Sequence, residues 1–179
     1  MFSRHIAGCL AVLGILIVAT CELGWADNKY GGVDPAKQKL KQRQCKPKPT
    51  GATVTWLGFK PSESGGARVF VQICGSAAAS QEVSGEKVVI RLPGTRFASR
   101  NTNRNLDARF FETPLALISA RGVNTVGFRG TSISVGFKLS GYAKKVPAEQ
   151  RNGRDGYTFW YFNFPPADGE LPDPGKLRQ

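Results

Sequence analysis

The feature that most constrains this chain is a hydrophobic period of two. Between Ser132 and Leu139, the residues Ile133, Val135, Phe137 and Leu139 alternate with Ser132, Ser134, Gly136 and Lys138. Successive side chains of a strand point to opposite faces, so this run reads as a strand with one face buried and one wet. The same period recurs upstream. Val54, Trp56 and Gly58 alternate with Thr53, Thr55 and Leu57 before Phe59; Val69, Val71 and Ile73 share a face in Arg68–Cys74; Val88, Ile90 and Leu92 share one in Lys87–Leu92. Leu115–Ala120, Val126–Arg129 and the aromatic run Tyr157–Phe164 complete the set. Gly and Pro punctuate it at Lys60–Gly66, Pro93-Gly94 and Pro165-Pro166, where they favour turns and stop strands. No long amphipathic helical pattern competes. About seven short strands with this punctuation predict an all-β fold, an antiparallel β-sandwich. Phe159-Trp160-Tyr161-Phe162 reads as core and edge packing, with an exposed aromatic platform as the alternative.

The two ends do not share the pattern. Ile6 to Ala19 is an uncharged run of 14 residues, shorter than the roughly 20 apolar residues of a spanning helix and matching the apolar region of a signal peptide. Gly24-Trp25-Ala26 supplies small residues for cleavage before Asp27. Residues 1–26 are therefore read as a signal peptide, with a retained anchor or a lipid-modified Cys21 as alternatives. Residues 27–51 form a basic linker or arm carrying Lys37, Lys39, Lys41, Arg43, Lys46 and Lys48, with a short helix expected from Pro35 to about Gln44. The folded domain is expected over 52–164, followed by a Pro-rich disordered tail over 165–179. The arm is expected to be flexible.

Composition removes much chemistry. The one His, His5, lies in the signal segment, so the processed chain has no Ser-His-Asp triad, Cys-His dyad or imidazole metal ligand. No metal site and no cofactor are expected. Glu86, Asp107 and Glu112 are the acids one would test for a glycosidase pair, but nothing in their spacing selects two of them; no catalytic residue is assigned, and the chain is read as a non-enzyme. Cys9 and Cys21 leave with the signal, and Cys45 and Cys74 remain. In an oxidising compartment such a pair is a disulfide candidate, two free buried thiols being the alternative. Removing residues 1–26 takes away Arg4 and Glu22, so the net charge stays at +12. That field attracts polyanions, and is weakened by salt. For an exported protein these are envelope polymers, acidic surfaces or extracellular DNA, and not cytoplasmic nucleic acid.

One segment is too polar for core and too patterned for an arbitrary connection. Between Pro93 and Pro114, Arg96, Arg100, Arg104 and Arg109 recur, with Asn101, Asn103 and Asn105 among them. Arg offers a planar fork for carboxylates and phosphates, and Asn both donates and accepts. Arg96, Arg100, Asn101, Asn103, Arg104 and Arg109 are therefore the candidate ligand-binding residues. The structural alternative pairs Asp107 with Arg104 or Arg109 and uses Asn side chains to cap turns.

These residues also carry a resemblance. The strand Arg68–Ile73 (RVFVQI), the strand Val88–Gly94 (VVIRLPG), the Asn103–Pro114 segment and the later strands over Val126–Leu139 together resemble the AMIN domain, over roughly Ala52 to Gly141. AMIN domains are periplasmic β-sandwich modules that attach amidases and secretins to peptidoglycan. The resemblance implies a periplasmic location and peptidoglycan, or another acidic envelope polymer, as partner, here for a domain read as standing alone. The alternative function is an assembly or accessory factor of a secretin or pilus machine, docking a protein partner by strand addition or through its aromatic last strand. A lipid-binding role driven by the Lys-rich arm is a third reading.

Overall fold

The computed structural model describes residues 45–46, 51–153 and 156–173. Residues 1–26, expected to be a signal peptide, nearly all of the basic arm with its expected helix, and residues 174–179 of the tail lie outside the described residues. Ten strands follow one another: β1 (Ala52–Pro61), β2 (Ala67–Cys74), β3 (Ser80–Ser84), β4 (Lys87–Pro93), β5 (Thr95–Phe97), β6 (Leu106–Asp107), β7 (Leu115–Thr125), β8 (Phe128–Phe137), β9 (Ala148–Asn152) and β10 (Tyr157–Phe164). They form two five-stranded sheets, ordered β5-β1-β2-β10-β9 and β3-β4-β8-β7-β6. Every pairing is antiparallel except β1 with β5. The fold is an all-β sandwich.

The apolar alternation faces the sheets toward each other. Val69, Val71 and Ile73 of β2 and Phe162 and Phe164 of β10 pack in one buried cluster with Val88, Ile90 and Leu92 of β4, Ile133 and Val135 of β8, and Ile118 of β7. Each fully buried side chain of this kind contributes about 1.5–3 kcal/mol relative to exposure. Several polar groups that reach the interior are paired, while the buried Thr113 Oγ1 has no hydrogen-bond partner among the described residues. Thr131 and Thr95 share a hydroxyl hydrogen bond of 2.7 Å, and Trp160 Nε1 donates to Ala77 O at 2.9 Å. Gln81 spans from β3 to the segment before β9, donating to Val146 O at 2.7 Å and accepting from Val146 N at 3.2 Å.

Several sequence expectations are corrected here. The strand count is ten rather than about seven, because β3, β5, β6 and β9 carry too few apolar residues to show a period. Val126–Arg129 is not a strand of its own: Val126-Gly127 is the turn of a long β7–β8 hairpin, and Leu139 lies past the end of β8. In β1 the simple alternation breaks at a bulge between Val54 and Trp56. The extra residue, Thr55, resets the phase, so Leu57 joins Val54 in the core and Trp56 turns outward at 39% exposure. The aromatic platform expected as an alternative on the last strand is absent. Phe162 faces the core, while Phe159 and Tyr161 are buried with Phe70 in a second cluster on the outer face of the first sheet. The disulfide forms: Cys45 and Cys74 are bonded, with Cα atoms 5.3 Å apart. The segment 165–173 has no regular secondary structure, and Pro165 O accepts a hydrogen bond from Tyr142.

Two glycines make the packing possible. A single residue, Gly94 at φ +67°, carries the chain from β4 in one sheet to β5 in the other; a side chain is disfavoured in that left-handed conformation. On β8, a Cβ at Gly130 would lie 2.3 Å from Leu92 O and 2.9 Å from Pro93 Cα, both backbone atoms that cannot swing aside. Gly130→Ala should therefore destabilise the protein by about 1–3 kcal/mol. Gly122→Ala, where a Cβ meets nothing within 4 Å, should stay within about 0.5 kcal/mol of the parent. Thermal unfolding of the two variants side by side checks the contrast; equal melting temperatures would refute it.

Candidate functional site

The Arg/Asn segment becomes a border along the open side of β1. β5 pairs with β1 only over Ala52–Val54, placing Arg96 beside Thr53 and Phe97 beside Val54. Phe97 packs against the core, so alternation turns Arg96 outward, and it is exposed. Past that point the bulge in β1 leaves carbonyls free of β5. Ala98 N donates to Val54 O at 2.9 Å, and Thr102 Oγ1 makes a long 3.5 Å contact to Thr55 O. A 3-10 turn over Arg100–Asn103 follows, with Ser99 and Thr102 hydroxyls 3.2 Å apart. The far end is held by the Phe111 ring, edge-on to Phe59 at 5.1 Å between centroids. Thr53 to Phe59 is seven residues, six steps of strand, so the border runs about 20 Å.

Lys138 anchors the same end. Its backbone N donates to Pro114 O at 2.8 Å and its buried ammonium donates to Phe111 O at 2.5 Å. Burial pushes the Lys138 ammonium below the usual lysine range, against the opposing pull of Glu112.

The expected site residues divide into two groups. Arg96, Arg100, Asn101, Asn103 and Arg104 are all exposed, and Arg96 and Arg100 have no ion pair among the described residues. Arg104 reaches only Asn101 Oδ1, at 3.5 Å. Arg109 is instead committed internally, the structural alternative of the sequence reading. It grips Asp107 with Nη2 to Oδ2 at 2.7 Å and Nε to Oδ1 at 3.0 Å, while its backbone N donates to Oδ1 at 3.1 Å. This grip secures the loop beside β6, where Asp107 pairs with Leu117. Arg109 therefore belongs to the frame of the border, with Arg96, Arg100 and Arg104 as its outward cations.

The sequence reading passed over two aromatics here. Phe110 is 68% exposed, with the Arg109 guanidinium 5.9 Å from its ring centre. Trp56 on the adjoining strand is exposed through the bulge. The signal for Phe110 was present: of two adjacent aromatics, Phe110 and Phe111, an extended chain can turn only one inward. The signal for Trp56 was not, because a bulge leaves no mark in a Val-Thr-Trp run.

Among the described residues, no group of three or more His, Cys, Asp or Glu is placed to hold a metal, and no helix is long and apolar enough to cross a membrane. The arrangement offers planar cationic forks and amides along an edge. No family model matches the chain, and no curated protein matches it.

The Arg109 side-chain hydrogen bonds hold the Asp107 carboxyl well below its ordinary range, from 3.8 down to about 2; desolvation opposes them, and the Arg109 backbone N–H and charge add to the lowering. Because the folded value is the lower one, the contribution of the pair is complete above 3.8 and is lost as the pH falls through about 2. Side-chain carboxyl NMR should find Asp107 still ionised at pH 3, and Arg109→Gln should return its midpoint close to 3.8. An unchanged midpoint in that variant would show that the pair is not formed in solution.

Proposed function

We propose that this protein is a non-catalytic, exported envelope protein that binds peptidoglycan, or an acidic envelope polymer of similar chemistry, along the β1 border of its sandwich. The observation that carries the reading is the row Arg96, Arg100 and Arg104, exposed and without carboxylate partners on one edge of a chain of net charge +12. Peptidoglycan presents carboxylates, amides and hydroxyls at intervals along a strand, which suits guanidinium forks interspersed with Asn101 and Asn103. Phe110 and Trp56 add apolar surface beside the cations. The resemblance to the AMIN domain points to the same ligand, the same compartment and the same kind of scaffold.

Exposed ionic contacts contribute about 0–1 kcal/mol each, so a single sugar-peptide unit would bind weakly. Affinity would arise by repetition, successive units of one polymer meeting successive cations at high effective concentration. The chemistry this reading requires of the protein is recognition alone.

The alternative, a machine accessory acting by protein contact, was expected to dock by strand addition or through the aromatic last strand. β10 is paired on both sides, with β2 and β9, so strand addition there is blocked. Strand addition would have to use the sheet edges, at β3, β5, β6 or β9.

The test is co-sedimentation of the exported protein with purified sacculi. The parent should pellet at physiological salt, and retention should fall as salt rises. The triple variant Arg96→Gln, Arg100→Gln, Arg104→Gln should lose about tenfold to a hundredfold in affinity, equivalent to about 1–3 kcal/mol, with unchanged thermal unfolding. Failure of the parent to pellet at any salt would refute the reading and direct attention to protein partners.

A further inference from the structure

The β1–β2 hairpin and the end of β10 enclose an open cleft of about 530 Å³, within the range of roughly 300–1,000 Å³ for small-ligand sites. It uses none of the residues of the Arg/Asn border. Lys60, Arg68, Ser62 and Ser64 bring charge and hydroxyls to it, and Ala67 and Phe164, whose side chains belong to the core, lie at its inner end.

The charge arrangement is unusual for a sheet. Lys60 and Arg68 are direct cross-strand partners, and the next residue across from Arg68 is Asn163. Like charges placed opposite each other on neighbouring strands are destabilising. Neither cation has an ion pair among the described residues. The nearby carboxylate of Glu149 is taken up by Arg151 at 2.6 Å, and the only acid lining the cleft is Glu63. No carboxylate among the described residues is ion-paired to either cation, and an anion seated between them would offset their repulsion.

Arg68 is also fixed in advance. Its Nε donates to Asn163 Oδ1 at 2.7 Å, and its guanidinium lies over the buried Tyr161 ring at 5.4 Å from the centroid. Arg151 lies over the same ring at 5.4 Å. With its Nε and one face engaged, the guanidinium keeps its terminal Nη1/Nη2 edge, and that edge matches the two oxygens of a carboxylate. Phosphate would be met less specifically, since the second cation is a point charge rather than a second fork.

We propose that this cleft is a second binding site, for the carboxylate of a short peptide-like ligand. Arg68 takes both oxygens through its Nη edge, Lys60 balances the charge, and the Ser62 and Ser64 hydroxyls, 2.8 Å apart, bond the adjoining amide. The site stands apart from the envelope-polymer reading and would exist if that reading failed.

The experiment is a proton–nitrogen NMR titration of the exported protein with N-acetyl-alanyl-alanine, its C-terminal amide, and inorganic phosphate. The free carboxylate should give saturable shifts at the Ser62–Gly66 amides and at Arg68 Nε–H, and the amide form should give none. Arg68→Lys, which keeps the charge and removes the fork, should weaken binding about tenfold or more; Lys60→Gln, which leaves the Arg68 anchors in place, should weaken it as well. Arg100→Ala should leave these shifts unchanged. The proposal is overturned by the absence of saturable shifts, by an equal response to the amide or to phosphate, or by undiminished binding in Arg68→Lys.

Discussion

Everything in this molecule hangs on burying two sheet faces against each other. The inner residues of β2 and β10 on one side and of β4, β8 and β7 on the other form one continuous apolar cluster. That burial is what offsets the loss of backbone freedom in long strands, since strand pairing alone exchanges water hydrogen bonds for internal ones with little net gain. The polar devices refine this core. The Thr95–Thr131 pair and the Gln81 bridge satisfy groups that would otherwise be costly to bury. The Cys45–Cys74 bond ties the basic arm to the end of β2, on the sheet face away from that core.

The same core explains where recognition chemistry is located. A sandwich occupies its inner faces with packing, leaving outer faces, edges and connections for ligands. Here the long connection from β5 to β7 borders β1, because β5 covers only the first three residues of that strand. A bulge then turns carbonyls toward the connection, and Phe111 and Lys138 secure its far end. Between these fixed points the guanidinium groups have no structural duty, except for Arg109, which Asp107 holds. The hairpin cleft at the other end of β1 repeats the principle with fewer residues: Asn163 and Tyr161 orient Arg68 so that one edge of it stays available.

The central strands were legible because each is sandwiched between two neighbours and one buried layer. In β2, β4 and β8 that environment demands a strict period of two. The four strands that escaped notice, β3, β5, β6 and β9, are the four sheet edges. An edge strand packs less and presents polar groups to water, as Ser80–Ser84 and Ala148–Asn152 do, so its sequence resembles a loop. The bulge in β1 was equally hidden, since its register is set by pairing with β2 and not by composition. Among the candidate site residues, the sequence could not distinguish Arg109 from its neighbours, because two-residue spacing to Asp107 leaves the direction of the side chains open.

Taken by itself, the sequence determined the sandwich class, the faces of the central strands, the basic character and the absence of His from residues 27–179. Each of these follows from local periodicity or from counting residue types. Tertiary structure alone decided which arginines stay free and which one is spent on the frame. It also decided that the aromatic last strand is buried and that Lys60 lies beside Arg68 on neighbouring strands at the hairpin cleft. Those outcomes depend on pairing register and on contacts between residues as far apart as Arg68 and Asn163, and the energy of such contacts is fixed by geometry that no local pattern encodes.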